Sequence, residues 1–292
     1  MDRLSAVLKL TRIEHSIMLV IAVLTAEIIS GGIPMLPVMV LSLITPIFIS
    51  MGSFSINDYF DIEVDRKNRK NRPLVTGDIT PNGALWITVV CMVVGVAASA
   101  LINVYCFAIA LFFASFSLLY SYRLKEMLVM GNAYIAFSMS IPFIFGAYVV
   151  NAQLPPVAAM LFMIIFISGF AREVHGSIRD YRGDRLRKAN TLPKAIGIKA
   201  SAWAAMLLYL AAISMSIYVY MSYAPFYHNA VYAVMVFVTN MLLAYSGIVF
   251  IASRKQKDYD RMRNVSLAAM LIALVAFLLS ALVGIPAPSL AS

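Results

Sequence analysis

Nine apolar runs, each close to the length that crosses a bilayer, partition this 292-residue chain. They fall at approximately 16–33, 36–56, 84–102, 104–121, 131–150, 156–176, 200–222, 229–252 and 264–285. An α-helix needs about 20 residues to cross roughly 30 Å of hydrocarbon. Within hydrocarbon only helices and closed barrels satisfy every backbone N–H and C=O. The short alternating segments that build a barrel are absent. The sequence therefore predicts an all-α integral membrane bundle of nine transmembrane helices, forming a single domain over 1–292. The least obvious boundary is at Asn103, inside the charge-free stretch from Ala84 to Tyr122. That stretch is too long for one span, so it predicts a tight hairpin.

The basic residues orient the bundle. All 23 Lys and Arg fall in the amino-terminal arm or in the connections after the second, fourth, sixth and eighth spans. The alternate connections carry none. Basic loops mark the cytoplasmic side, so the expected N-terminus is cytoplasmic and the C-terminus outside. The formal charge of +9 then belongs to one membrane face, where it attracts anionic lipid. No soluble basic domain is left to bind nucleic acid. Cys91 and Cys106 lie inside spans and read as small buried residues rather than a disulfide. The three histidines, His15, His175 and His228, are too dispersed for a metal cluster. The first apolar run lacks a small-residue cleavage pattern and reads as an uncleaved span.

Directly after the second span come Asn57, Asp61 and Asp65, four residues apart. On a helix this spacing advances only about 40° per step, so the three share one face. Stacked carboxylates repel unless a cation lies between them. Mg²⁺ suits such hard oxygen donors, because it takes one or two carboxylates and fills its other positions with water and substrate phosphate. A second pair at the same spacing, Asp180 and Asp184, follows the sixth span. Two acidic faces on one side of a membrane suit ionisation of an allylic diphosphate, a poor leaving group until its charge is neutralised. Arg72 and Lys125 are placed to hold the remaining phosphate oxygens, and an apolar, aromatic-rich interior would keep water from the carbocation. Asp58 either meets this site directly or accepts from Arg72. Glu173, at a span terminus, has Arg172 beside it. Glu27 lies within the first span near its outer end, from which it could snorkel, and is left out of the site.

Asn57-Asp58-x-x-Asp61-x-x-x-Asp65 followed by Arg72-Pro73 resembles the first signature of the UbiA superfamily of intramembrane prenyltransferases. Asp180-Tyr181-Arg182-Gly183-Asp184, with Asn190-Thr191-Leu192-Pro193 after it, resembles the second. The likeness covers essentially the whole chain. Within the family, Ser55 to Asp61, Asn71 to Leu74 and Arg172-Glu173 look most like the archaeal geranylgeranylglyceryl phosphate geranylgeranyltransferases. The resemblance implies a geranylgeranyl diphosphate donor, a phosphorylated glycerol-ether lipid acceptor, formation of the second ether bond of archaeal lipids, and an active site facing the cytoplasm. The expected metal ligands are Asn57, Asp61, Asp65, Asp180 and Asp184, the four aspartates being catalytic. Asn57, Asp58, Arg72 and Lys125 are expected at the substrate, with Arg182 and Arg185 at an acceptor phosphate.

Two departures bear on the acceptor. Ser177, Arg179 and Arg182 stand where that subfamily commonly carries extra acids, and Arg12-Ile13-Glu14-His15 is similar to members of quinone pathways. An aromatic or quinone-precursor acceptor is therefore the alternative within the family. A cation transporter is the alternative outside it, but transporter acids lie near the bilayer midplane, whereas these lie at span ends.

The charge partition makes a topological prediction. Single-cysteine probes at Gly32, Asn151 and Ser289 are expected to react with an impermeant thiol reagent from outside. Probes at Asn68 and Lys188 are expected to react only after permeabilisation; labelling of Asn68 in sealed cells would put the first motif on the wrong side.

Overall fold

The computed structural model describes residues 2–67, 71–123, 127, 129–184 and 190–284; the side chains of Glu14, Arg182 and Asp184 are outside that description. Among the described residues the regular structure is helical: α1 (Arg3–Thr11), α2 (Ile13–Ser30), α3 (Leu36–Phe60), α4 (Ile62–Lys67), α5 (Pro73–Thr76), α6 (Pro81–Ala100), α7 (Val104–Tyr122), α8 (Met130–Val150), α9 (Pro156–Asp184), α10 (Leu192–Ile196), α11 (Ile198–Ser222), α12 (Ala230–Ala252) and α13 (Gln256–Val283). Eight of these are long and apolar enough to cross a membrane, and the bent pair α1 and α2 meets the same test together, giving up to nine spans.

Local chemistry sets the ends. Pro81 and Pro156 open α6 and α9, where a missing N–H costs nothing. The hairpin expected at Asn103 is present. Its side chain caps α7 by accepting from the Cys106 N–H at 2.9 Å and donates to the Tyr148 carbonyl at 2.7 Å. Asn229 caps α12 in the same way.

Two features lie outside the sequence-based expectation. The amino-terminal arm is helical, and α1 meets α2 at a 56° bend around Arg12, a left-handed residue with φ 47° and ψ 50°. Secondly, Glu27 does not snorkel. It is 1% exposed and accepts a 2.5 Å hydrogen bond from the Ser42 hydroxyl on α3.

The helices pack as a closed circuit. α3, α6 and α7 pack together, α7 leads to α8, and α8 to α9. From α9 the order continues through α11 and α12 to α13, which returns to α2. α2 packs on α3 and α8 and also touches α9, so it meets both helices that carry the motifs. Lipid is as apolar as Leu, so close van der Waals contact at small residues, rather than water exclusion, holds such helices together. Gly52 and Gly95 let α3 and α6 approach, since a Cβ at Gly95 would stand 2.9 Å from Ile49. Gly146 is tighter still: a Cβ there would stand 2.5 Å from the Val23 carbonyl oxygen on α2.

That contact is with backbone and cannot be relieved by a rotamer change. Gly146→Ala is expected to push α2 from α8 and destabilise the protein by about 1–3 kcal/mol, read as a lowered thermal midpoint in detergent. Gly176→Ala, where a Cβ meets nothing within 4 Å, serves as the control and should leave the midpoint unchanged or raise it slightly, because Ala favours the helix over Gly.

Candidate active site

The first motif is built where α3 ends. The backbone hydrogen bonds Asp61 N–H to Asn57 O (3.0 Å) and Asp65 N–H to Asp61 O (2.8 Å) carry helical spacing across the junction with α4. Asn57, Asp61 and Asp65 therefore stack as their spacing requires. Asn57 donates its side-chain amide to Asp61 at 3.3 Å. Both are part-exposed, whereas Asp65 is buried at 2% exposure.

Asp58 points elsewhere. One residue on from Asn57, it is rotated about 100° around the helix, is 2% exposed, and accepts from two guanidinium groups. Arg12 reaches it at 2.7 Å, and Arg72 bonds the same carboxylate oxygen. Arg72 also lies 2.9 Å from Asp65, so it bridges the two buried carboxylates. Removing one partner of a buried pair costs roughly 3–5 kcal/mol. Arg72 is thus held in place by acids that flank the part-exposed Asn57–Asp61 pair. Arg12 entered the sequence analysis as part of the orienting charge and of the phrase Arg12-Ile13-Glu14-His15, not as a site residue. Its signal, a basic residue just before the first span, does not distinguish it from Arg3 or Lys9.

The second motif continues one face of α9. Phe162, Phe166, Phe170, Glu173, Ser177, Asp180 and Asp184 follow one another by three or four residues, and so share a face. The three phenylalanines stack with centroid separations of 6.1 and 6.4 Å. Glu173 pairs with Arg172 at 2.9 Å, as its neighbour in sequence allowed. Ser177 accepts from Asn132 of α8 at 3.1 Å. Asp180 is exposed and takes two bonds from Arg179, at 2.8 and 2.6 Å. The backbone of Arg182 and Asp184 completes α9, while Lys125 and Arg185 lie outside the described residues.

Tyr120 links the two motifs. Near the end of α7, it lies within electrostatic reach of both Asp61 and Glu173. Its ring stacks on Tyr134 of α8 at 4.5 Å. From there a run of half-buried rings descends into the bundle. Phe116 lies 5.3 Å from Tyr134, and Phe137 lies 5.8 Å from Phe162. Phe113, 5.2 Å from Phe137, joins the two halves. Composition could not reveal which aromatics would meet here, because the ladder depends on how three successive helices, α7, α8 and α9, pack. Outside the spans, Asp78 is held below the usual carboxylate range by the hydrogen bond from Thr76.

Residues 18–274 match the UbiA prenyltransferase family. The chain belongs to that family. It is accordingly an integral membrane prenyltransferase, and the helix circuit described above is a UbiA fold. Digeranylgeranylglyceryl phosphate synthase of Archaeoglobus fulgidus is 35% identical over 276 residues, covering 94% of each chain. A solved structure concerned with the biosynthesis of digeranylgeranylglyceryl phosphate synthase in membranes is 26% identical, with a TM-score of 0.78 over 96% of this chain and 99% of that one. A UbiA homologue from Archaeoglobus fulgidus bound to GPP and Mg²⁺ shares the fold, with a TM-score of 0.66 at 18% identity over 93% of this chain and 99% of that one.

Among the described residues no three His, Cys, Asp or Glu side chains gather into a metal cage. What the first motif offers is an amide oxygen and a part-exposed carboxylate at adjoining turns. This hard-oxygen set fits Mg²⁺ held jointly with a phosphorylated substrate, and does not fit a metal enclosed by protein.

Asp61→Asn keeps the shape of the side chain and removes its charge. It is expected to lower turnover by about a hundredfold or more while leaving the detergent-solubilised protein folded and monodisperse. Wild-type turnover across a Mg²⁺ titration in this variant would assign Asp61 to structure.

Proposed function

We propose that the chain, acting as one catalytic domain over 1–292, transfers a geranylgeranyl group from geranylgeranyl diphosphate to geranylgeranylglyceryl phosphate, with its active site at the cytoplasmic face of the cell membrane. The observation that carries this reading is the continuity of an acidic face with an aromatic ladder on α9, whose Glu173 acts electrostatically on Tyr120 together with Asp61 of the first motif. A diphosphate headed by a long isoprenoid has the same two-part character. The naming of the 35%-identical relative supports the donor and acceptor classes.

In this reading Asn57, Asp61, Asp65, Asp180 and Asp184 would hold Mg²⁺, which would supply the positive charge that makes diphosphate a leaving group. Asp65 reaches the site as the partner of Arg72. Arg72 and Lys125 bind diphosphate oxygens by charge-assisted hydrogen bonds. The allylic C–O bond breaks heterolytically, and its electron pair leaves with the diphosphate. The acceptor hydroxyl oxygen bonds to the cationic carbon and gives up its proton to an oxygen of the released diphosphate, completing the ether. Faces of Tyr120, Tyr134 and Phe116 offer the cation an electron-rich surface without a nucleophile. Burial in the bundle keeps water from competing.

The acceptor phosphate needs cationic partners, and Arg182 and Arg185 each directly follow a residue of the second motif, Tyr181 and Asp184. Geranylgeranylglyceryl phosphate is expected to be prenylated and its dephosphorylated alcohol left unreacted. Arg182→Gln and Arg185→Gln are each expected to raise the acceptor KM with less effect on the donor. The decisive measurement is a product assay with labelled geranylgeranyl diphosphate and a panel of acceptors. Prenylation of an aromatic acid or quinone precursor, with the glyceryl phosphate ignored, would refute the acceptor and leave prenyl transfer standing.

A further inference from the structure

We propose that Arg12 is a positioning residue of the first motif: delivered by the amino-terminal helix α1, it holds Asp58 and thereby sets Arg72 beside Asp65. The inference rests on the prenyl-transfer reading of this site. Arg12 is one of three described non-glycine residues with positive φ. A side chain disfavours that conformation, so something must hold it there. Its guanidinium lies 4.8 Å over the Phe54 ring and 2.7 Å from Asp58, both on α3.

The remaining contacts of α1 converge on the segment that carries Arg72. Leu10, fully buried, clusters with Leu74 and Ala84. Lys9 lies within 3.5 Å of the Asn71 side chain. α1 thus meets residues on both sides of Arg72, and Arg12 shares an Asp58 oxygen with it. The sharing is what matters. With two cations on one carboxylate oxygen, neither neutralises it alone, and Arg72 can also reach Asp65 at 2.9 Å. Without Arg12, Asp58 is compensated by Arg72 alone, which shifts Arg72 from its bridging place. The opposite side of α1 exposes Leu4 and Leu8, apolar residues suited to the lipid interface. Seating α1 at that interface and ordering Arg72 are then one event.

The test is a double-mutant cycle read on binding, without turnover. Geranylgeranyl thiolodiphosphate, a donor analogue that resists ionisation, is titrated with Mg²⁺ into the full chain in detergent. Arg12→Gln and Asp58→Asn are each expected to weaken its binding by about tenfold or more. The double variant is expected to be no weaker than the weaker single, because both remove one linkage. Arg12→Lys, which keeps a charge for Asp58, is expected to recover part of the loss. It also serves should Arg12→Gln fail to fold. Arg12→Gly relaxes the backbone, and is expected to melt no lower than Arg12→Gln while binding the analogue no better. Losses that multiply in the double variant would show that Arg12 acts independently of Asp58 and overturn the proposal. So would undiminished binding by Arg12→Gly. Wild-type protein that binds the analogue but transfers nothing to the glyceryl phosphate sinks the acceptor reading and leaves this cycle intact. Wild-type protein that does not bind the analogue overturns both.

Discussion

A carboxylate buried where a helix leaves the membrane must be compensated or neutralised, since an isolated charge in a low-dielectric setting is too costly to persist. Asp58 is in that position, and two arginines from different parts of the chain compensate it. One comes from the break between α1 and α2, the other from the loop after α4. This shared carboxylate ties the amino-terminal arm, the end of α3 and the Arg72 segment into one assembly, to which Asp65 adds a second anchor for Arg72. The part-exposed Asn57–Asp61 pair is presented from its edge. The motif is therefore two layers deep, with a neutralised layer beneath a reactive one.

The second motif is organised by helical periodicity. A helix that keeps its phase from Phe162 to Asp184 must present whatever side chains share that phase on a single face. Here these are aromatic within the membrane and acidic beyond it. The ladder is widened by Tyr134 and Phe137 on α8 and by Phe113, Phe116 and Tyr120 on α7. Its rings are mostly half-buried, unlike the filled cluster that Phe143, Phe226 and Phe277 build with α13. Rings that keep a free face can receive a chain; rings packed on every side only stabilise.

Glu27 and Asp58 show two solutions to the same problem. Near the C-terminal end of α2, Glu27 accepts from a hydroxyl, and among the described residues no cation bonds it. Asp58, at the basic end, meets two arginines. The difference follows the charge partition, since Lys and Arg occupy only the loops on the motif side.

Much of this was legible in the chain alone. Run length and the one-sided distribution of Lys and Arg determined the helical membrane class, the hairpin at Asn103 and the proximity of both acidic motifs to one face, because these depend on local hydrophobicity and on spacing. The four-residue period of Asn57, Asp61 and Asp65 determined that they would stack. Tertiary structure alone decided which charges meet. That Arg12 rather than Arg3 reaches Asp58, and that Arg72 divides itself between Asp58 and Asp65, are contacts between segments far apart in the chain. Such contacts depend on how helices cross and where glycines such as Gly146 let them approach. Periodicity assigns a residue to a face of its own helix, and only packing determines what that face meets.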